Sequence, residues 1–363
     1  MTQKHLAHLR EIMIQDSLDA ILISSLPNII YLTNFAHFSD LEREAYLLIT
    51  KNSQYIFTDA RYSHAVKTQL KNFQLLEISI QKSFIQHLKQ LIHDQKIKKM
   101  GLEENNLTVA EHKKIISVFK NSLHINLRDL RIKKNPWEIK HLKKSCQIGD
   151  QAFTYICKQI KLGMTEKELV FKLETFIRQQ GADIAFPTIV AFGKNAAIPH
   201  HKSGNEKLTA NNFILLDFGV KYENCCSDMT RTIFFGKATN EQKKVYETVL
   251  TAQEKAMQQY SNLAKQSKPV KAANIDKAAR DYIISKGYPS IPHSLGHGIG
   301  LQVHEAPSLS PGSKDILANG MVFSIEPGIY LNDNFGIRIE DLFAIENNKL
   351  IRLTKSPRDL IQI

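Results

Sequence analysis

The sequence predicts an α/β (α+β) protein of two domains, and three features carry the prediction. Through residues 1–127, short β-rich runs alternate with helix-like ones, the pattern of a small α/β domain. A basic connector at 127–134 leads into a strongly signalled helix start at Asn135, so the first domain is assigned to 1–127 and the second to 128–363. From residue 186 onward strand-like runs dominate and fold back as hairpins. With 363 residues there is chain enough for two cores.

In the first domain, 18–24, 45–50 and 54–58 read as strands, with a shorter candidate at 77–80. Between them, 4–16, 61–71, 83–95 and 108–121 read as helices, and Thr108-x-x-Glu111 has the form of a capping box. In the second domain, Asn135-Pro136-Trp137-Glu138 supplies a cap, a proline at the first helical position and a glutamate at the third. Thr165-x-x-Glu168 and Thr239-x-x-Gln242 mark two further helix starts.

Composition narrows the function classes. Apolar residues make up 43% and charged residues 23%, which excludes a fibrous or disordered chain. The net charge of +12 arises from 48 Lys and Arg against 36 Asp and Glu. These cations are scattered, with short clusters such as Lys96-Ile97-Lys98-Lys99, and no recognition motif accompanies them, so no nucleic-acid partner is expected. The four cysteines form no CxxC pair, and adjacent Cys225 and Cys226 suit each other poorly as disulfide partners; reduced thiols in a cytosol are expected. The N-terminus has no apolar signal core. The early run Ala20-Ile21-Leu22-Ile23 is far shorter than the roughly 20 residues a membrane helix needs. A cytoplasmic protein without a membrane partner is the expectation.

Two hairpins carry the chemistry. The strand-like run 213–220 holds one charge, Asp217, and the run 228–235 opens on Asp228. A turn centred near 222–223 sets the two carboxylates opposite each other on one face. The construction recurs: 323–330 holds Glu326, 337–343 holds Glu340, and a turn centred near 333 sets these opposite each other. One such pair could be a solvated sheet face. Two pairs in otherwise apolar strands require something to offset like-charge repulsion and desolvation, and a bound cation does both.

Between the hairpins lies a segment with three histidines, His293, His297 and His304, and the glycines Gly296, Gly298 and Gly300. The glycine spacing and the absence of a downstream acidic partner argue against a dinucleotide site; they read instead as points where backbone packs closely. Four carboxylates and an imidazole make an oxygen-rich set suited to two divalent ions, Mn²⁺ foremost, with Co²⁺ or Zn²⁺ as alternatives. A pair of metals roughly 3.5–4 Å apart can activate water and polarise a carbonyl. Neither HExxH nor GxSxG is present, so metal-assisted hydrolysis is the reaction class.

At these residues the chain resembles the Xaa-Pro aminopeptidase and prolidase group, within the superfamily of creatinase and methionine aminopeptidase. The resemblance spans essentially the whole length. It includes Tyr31-Leu-Thr-Asn-Phe35 and Thr58-Asp-Ala-Arg-Tyr62 in the first domain, and Phe186-Pro-Thr-Ile-Val190 and Asn195-Ala-Ala-Ile-Pro-His200 in the second. It implies a creatinase-like N-terminal domain, a pita-bread catalytic domain of two related halves, and a homodimer. It also implies a ligand set of Asp217, Asp228, His297, Glu326 and Glu340. By that matching Asp228 and Glu340 bridge both ions, Asp217 chelates one, and His297 with Glu326 holds the other. Glu326 takes the proton of the attacking water, His200, His293 and His304 line the site, and Arg338 anchors a bridging ligand. Tyr330 either contacts the intermediate or packs.

Two departures stand out. Phe192 replaces the serine more usual before the glycine, which predicts a reshaped pocket wall. Archaeal-type prolidases carry an arginine after the His-Glu pair, whereas here the run is His304-Glu-Ala-Pro-Ser308. Its absence predicts an aminopeptidase acting on peptides with proline second, with a prolidase for Xaa-Pro dipeptides as the alternative. The charged loop at 34–44 (Asp40, Glu42, Arg43, Glu44) is a second candidate sensor of substrate ends across a dimer. A third possibility is an inactive pita-bread binding module, which the intact ligand set disfavours.

Overall fold

The computed structural model describes residues 2–39 and 41–363, and these divide into two compact units, Met1–Arg131 and Ile132–Ile363. In the first, α1 (Thr2–Gln15), β1 (Ala20–Ile23), α2 (Leu26–Thr33), β2 (Ala45–Thr50), β3 (Gln54–Asp59) and α3 (Ala60–Gln69) come in turn. They are followed by β4 (Gln74–Ile78), α4 (Phe84–Asp94), β5 (Met100–Leu102), α5 (Val109–Val118) and β6 (Ser122–His124). Its strands form one mixed sheet in the order β4-β3-β2-β1-β5-β6. The pattern predicted three of these strands, and placed β4 three residues late. It missed β5 and β6, whose three residues each are too few for a period to show. Helix α2 was also missed, because Pro27 reads as a breaker; it sits in the first turn, where a missing N–H costs nothing. One side of the sheet is packed with Leu22, Leu48, Phe57, Leu88, Met100 and Ile115.

The second unit opens with α6 (Pro136–Cys157) and α7 (Glu166–Gln179), both started by the capping boxes expected at Asn135 and Thr165. Short β7 (Asp183–Ile184), β8 (Ile189–Phe192), β9 (Asn212–Phe218), β10 (Val220–Tyr222), β11 (Cys225–Cys226) and β12 (Met229–Phe235) follow. Then come α8 (Asn240–Lys265), β13 (Val270–Lys271), α9 (Ala272–Ser285), β14 (Gly296–Gly298), β15 (Glu305–Leu309) and β16 (Ile316–Leu317). Strands β17 (Val322–Ile325), β18 (Gly328–Leu331), β19 (Phe335–Arg338), β20 (Asp341–Glu346) and β21 (Lys349–Arg352) end the order.

Each half of this unit sets two helices behind a carboxylate-bearing hairpin, the expected pita-bread arrangement. Helices α6 and α7 back the sheet β12-β9-β8, burying Phe153, Leu169, Leu173, Leu216 and Phe218. Helices α8 and α9 back the sheet β15-β14-β17-β20-β21, burying Val249, Ile275, Phe323 and Phe343. No helix among the described residues is long and apolar enough to cross a membrane.

Candidate metal centre

The two hairpins differ in how closely their register follows the sequence. In the first, Thr230 rather than Asp228 stands opposite Asp217. The turn is Glu223-Asn224, closing Tyr222 against Cys225, and both turn residues have positive φ, 48° and 63°. That is the two-residue geometry that matches the twist of paired strands, and it moves the centre beyond the expected 222–223. Asp228 therefore becomes a diagonal neighbour of Asp217, two residues from the opposed position and still on the same face. In the second hairpin the pairs Ile325–Asp341 and Gly328–Arg338 share one register, which sets Glu326 across from Glu340 as expected.

His297 reaches the same place on β14. A Cβ at Gly296 would lie 2.0 Å from the Ser324 carbonyl oxygen, and one at Gly298 would lie 2.0 Å from that of Ala306. Any larger residue would push β14 off its neighbours, so these two glycines serve the close approach inferred from the sequence.

The halves are joined through side chains of β12. Thr230 Oγ1 donates to Glu340 Oε2 at 2.7 Å, and the Glu340 amide donates to the Thr230 carbonyl at 3.1 Å. The Arg338 guanidinium donates to Asp217 Oδ2 at 2.6 Å, to Thr230 Oγ1 at 3.0 Å and to the Tyr330 hydroxyl at 2.9 Å. Sequence reasoning missed Thr230, since a threonine in a strand carries no signal of its tertiary partner. Tyr330 links Arg338 to His293 Nε2, at 2.9 Å, which gives its hydroxyl a definite place in the network.

All nine residues expected at the site, Asp217, Asp228, His297, Glu326, Glu340, His200, His293, His304 and Arg338, line one cavity of about 430 Å³. Asp228, His297 and Glu340 offer ligand atoms within 4.8 Å of one another. Asp228 Oδ1 and Glu340 Oε1 are buried with no hydrogen-bond partner, two of the four such side-chain atoms among the described residues. A buried carboxylate oxygen without a partner is expensive, and these two belong to the residues whose geometry suits a cation. The donor set, four carboxylates and one imidazole, fits divalent metal ions on both counts.

Electrostatics carry the same message. Burial, with Glu340 and Asp217 nearby, pushes the Asp228 carboxyl well above its usual range, and burial with Glu326 and Asp217 does the same to Glu340. Burial raises Glu326 too, but the hydrogen bond and charge of His297 outweigh it and hold the carboxyl below its ordinary value. Burial opposes charging of His297; the hydrogen bond to Glu326 Oε1 at 3.2 Å and the charges of Glu326 and Glu340 prevail and push it up to about 9. His297 Nδ1 lies 3.1 Å from the Gly298 carbonyl and donates there, so Nε2 faces the carboxylates. Without metal, a proton on Nε2 thus takes the role of a cation.

This predicts that in metal-free protein the His297 imidazole titrates near pH 9 by NMR. A histidine raised above its unfolded value contributes stability that is fully present below about pH 6.5 and lost as pH rises through 9. The contribution is on the order of 3 kcal/mol. Loading with a divalent cation at neutral pH should release that proton; an imidazole titrating near 6.5 refutes the arrangement.

The remaining histidines differ in setting. Burial holds His293 below its usual value, and its Nδ1 lies 2.8 Å from the Ser294 carbonyl. Burial and the nearby His297 likewise lower His304, whose ring lies 4.4 Å from that of His297. His200 sits exposed at the cavity rim. One expectation is corrected: Phe192 does not form a pocket wall but packs, 2% exposed, into the core between the α6–α7 pair and its sheet. Of the loop at 34–44, Asp40 lies outside the described residues. Arg43 donates to Ser24, Asn106 and Glu111, while Glu44 accepts from the Ser39 amide and pairs with Arg61 at 3.3 Å. Both side chains are engaged within their own unit.

Comparison with known proteins places these residues in a family context. Residues 140–347 match metallopeptidase family M24, and residues 5–131 match the creatinase/prolidase N-terminal domain. The chain is 34% identical to an Xaa-Pro dipeptidase of Pyrococcus horikoshii over 97% of each sequence. Its fold is similar to the solved Xaa-Pro dipeptidase from Bacillus anthracis, with a TM-score of 0.91, 31% identity and complete coverage of both chains. It is also similar to the X-Pro aminopeptidase from Thermotoga maritima, with a TM-score of 0.84, 35% identity, and coverage of 96% of this chain and 98% of the other.

Proposed function

The chain belongs to metallopeptidase family M24, and from that premise we propose that it releases the N-terminal residue from peptides with proline in second position. The ligands are Asp217, Asp228, His297, Glu326 and Glu340, holding two divalent ions, with Mn²⁺ as the expected species. The observation that carries the reading is the pair of unpartnered buried oxygens, Asp228 Oδ1 and Glu340 Oε1, in the cavity that also holds His297.

Bound there, divalent ions would polarise the scissile carbonyl and make water nucleophilic near neutral pH. The chain's own groups do the rest. Glu326 Oε1 is held by Ser324 Oγ at 3.0 Å, which leaves Oε2 to receive the proton of the attacking water. His304 and His200, both exposed where they line the cavity, donate to the substrate oxygen as negative charge develops on it in the tetrahedral intermediate. His293 has Nδ1 on the Ser294 carbonyl and Nε2 on the Tyr330 hydroxyl, so its ring is fixed as part of the cavity wall beside the substrate. Phe186, Pro187, Ile189 and Val303 supply an apolar wall suited to a pyrrolidine ring.

The choice between aminopeptidase and dipeptidase rests on charge. A dipeptidase needs a cation for the free carboxylate that follows proline. Among the described residues lining the cavity, Arg338 is the only arginine or lysine, and its guanidinium is already engaged by Asp217, Thr230 and Tyr330. A longer peptide has no carboxylate at that point. The names of two relatives, as Xaa-Pro dipeptidases, favour the prolidase reading instead.

We expect Ala-Pro-Ala to be cleaved with kcat/KM at least about tenfold above Ala-Pro, since an unpaired carboxylate in the site costs more than 1.4 kcal/mol. Chelation should abolish cleavage and Mn²⁺ should restore it. A clear preference for Ala-Pro establishes the prolidase. The homodimer is part of the proposal, and light scattering on the purified chain tests it.

A further inference from the structure

The cavity-lining His200 sits on a long connection between β8 and β9, and one buried carboxylate outside the cavity organises that connection. Glu166 is the first residue of α7 and is 0% exposed. Its Oε1 accepts from the Phe192 amide at 2.9 Å and from Asn195 Nδ2 at 2.8 Å. Its Oε2 accepts from the Gly204 amide at 2.7 Å and lies 2.8 Å from His201 Nε2. Four donors thus converge on a single carboxylate, and they come from both arms of the loop that carries His200. No lysine or arginine pairs with Glu166 among the described residues; its one ionisable partner is His201, whose neighbour in the chain is His200.

The other side of the loop is fixed too. A Cβ at Gly336 on β19 would lie 1.9 Å from the Ala196 carbonyl oxygen, so the strand bearing Arg338 presses directly on the loop backbone. Arg338 Nη1 donates to the Pro199 carbonyl at 3.4 Å. Between these contacts and Glu166 the loop is clamped from front and back, while His200 itself stays exposed at the rim.

We infer that Glu166 is a positioning residue for the peptidase reaction: through its four hydrogen bonds it fixes the 192–204 loop and so sets where His200 meets the substrate. The inference rests on the proposed role of His200. Glu166 touches neither substrate nor any expected ligand, so its effect passes entirely through the loop. A group displaced by about 1 Å can cost a large factor in rate while binding is retained. A carboxamide at position 166 keeps the shape but turns an NH₂ group towards the Gly204 amide, donor against donor.

The test uses the full-length protein and the variants Glu166→Gln and His201→Gln. In the metal-free proteins, hydrogen exchange of amides 192–204 should quicken at least about tenfold in Glu166→Gln, while exchange in β17 and β20 stays as in the parent. In the Mn²⁺-loaded proteins kcat for Ala-Pro-Ala should fall about tenfold or more, with KM and the Mn²⁺ dissociation constant within about twofold. His201→Gln keeps a donor for the intact Glu166 carboxylate, so its loop exchange and kcat should stay close to those of the parent. Unchanged exchange in the loop of Glu166→Gln, or a parallel loss of Mn²⁺ affinity, overturns the proposal. If the parent protein cleaves no proline peptide, the exchange result still decides whether Glu166 holds the loop, and the failure then belongs to the proposed function.

Discussion

Replacing Asp228 by asparagine is expected to remove about 10³-fold or more of kcat/KM and, at the same time, to raise the stability of the metal-free protein. The two effects have one cause. In the metal-free chain the Asp228 carboxylate is buried, lies among Glu340 and Asp217, and has one oxygen with no partner, so its charged form is strongly disfavoured. An asparagine removes the charge, keeps the shape and offers an NH₂ to the unpartnered Glu340 Oε1 close by. The gain should be about 1–3 kcal/mol, the usual return from relieving an uncompensated buried charge. With divalent cation present the order reverses, because the parent gains binding free energy that the variant has lost. Thermal melts with EDTA and with Mn²⁺, beside assays on Ala-Pro-Ala, read both. Glu340→Gln should behave alike. An active variant, or one less stable than the parent in EDTA, means that Asp228 is an ordinary structural acceptor.

The parts of this protein that could be read from sequence are those decided by a few adjacent residues. Capping boxes at Thr108, Asn135, Thr165 and Thr239 all form, because each needs only a side chain and an amide three positions on. The second carboxylate hairpin was legible for the same reason: Asn332-Asp333-Asn334 marks its turn, and Asp333 adopts φ 60° at the centre. The first was read one step off, since Glu223-Asn224 lacks the glycine that usually announces a tight two-residue turn. Residue 219 also broke an expected single strand in two. A Cβ there would lie 2.3 Å from the Ser227 carbonyl oxygen, so the chain folds against itself at Gly219, and β9 ends while β10 begins.

What escaped the sequence is the set of polar residues whose partners are distant. Thr230 contacts Glu340 and Arg338 across more than a hundred positions, and nothing in the strand it occupies marks it. Glu166 reads as an ordinary acidic residue in the first turn of a helix, favoured there by the helix dipole. Its four long-range donors become visible only in the fold. Phe192 misled in the opposite sense: a departure from a familiar motif suggested a pocket change, whereas the ring turns into the core.

The second large effect concerns Arg231, which lies next to Thr230 and is 1% exposed. Its five N–H groups have five acceptors: Nε donates to the Pro357 carbonyl, Nη1 to the carbonyls of Thr230 and Glu340, and Nη2 to Asp341 Oδ1 at 2.6 Å and to the Ser356 carbonyl. Asp341 is equally occupied, with Thr354 Oγ1 on Oδ1 and Gln253 Nε2 on Oδ2. One buried ion pair therefore ties β12, β20, α8 and the C-terminal segment together and holds the backbone on both sides of Glu340. Removing one partner leaves the other charge buried and unpaired, so Arg231→Leu or Asp341→Leu should each cost about 3–5 kcal/mol. That corresponds to a fall in Tm of roughly 10 °C for a unit of this size. The double variant leaves no orphan charge, so its loss should be smaller than the sum of the two by about 2 kcal/mol or more. An exposed pair such as Lys277–Asp281, with side chains 72% and 56% exposed, should cost no more than about 0.5 kcal/mol when broken. The comparison separates a buried anchor from a surface ion pair. Additive losses at Arg231 and Asp341 would show that the two charges act independently, and that the scaffold beneath Glu340 is held by packing alone.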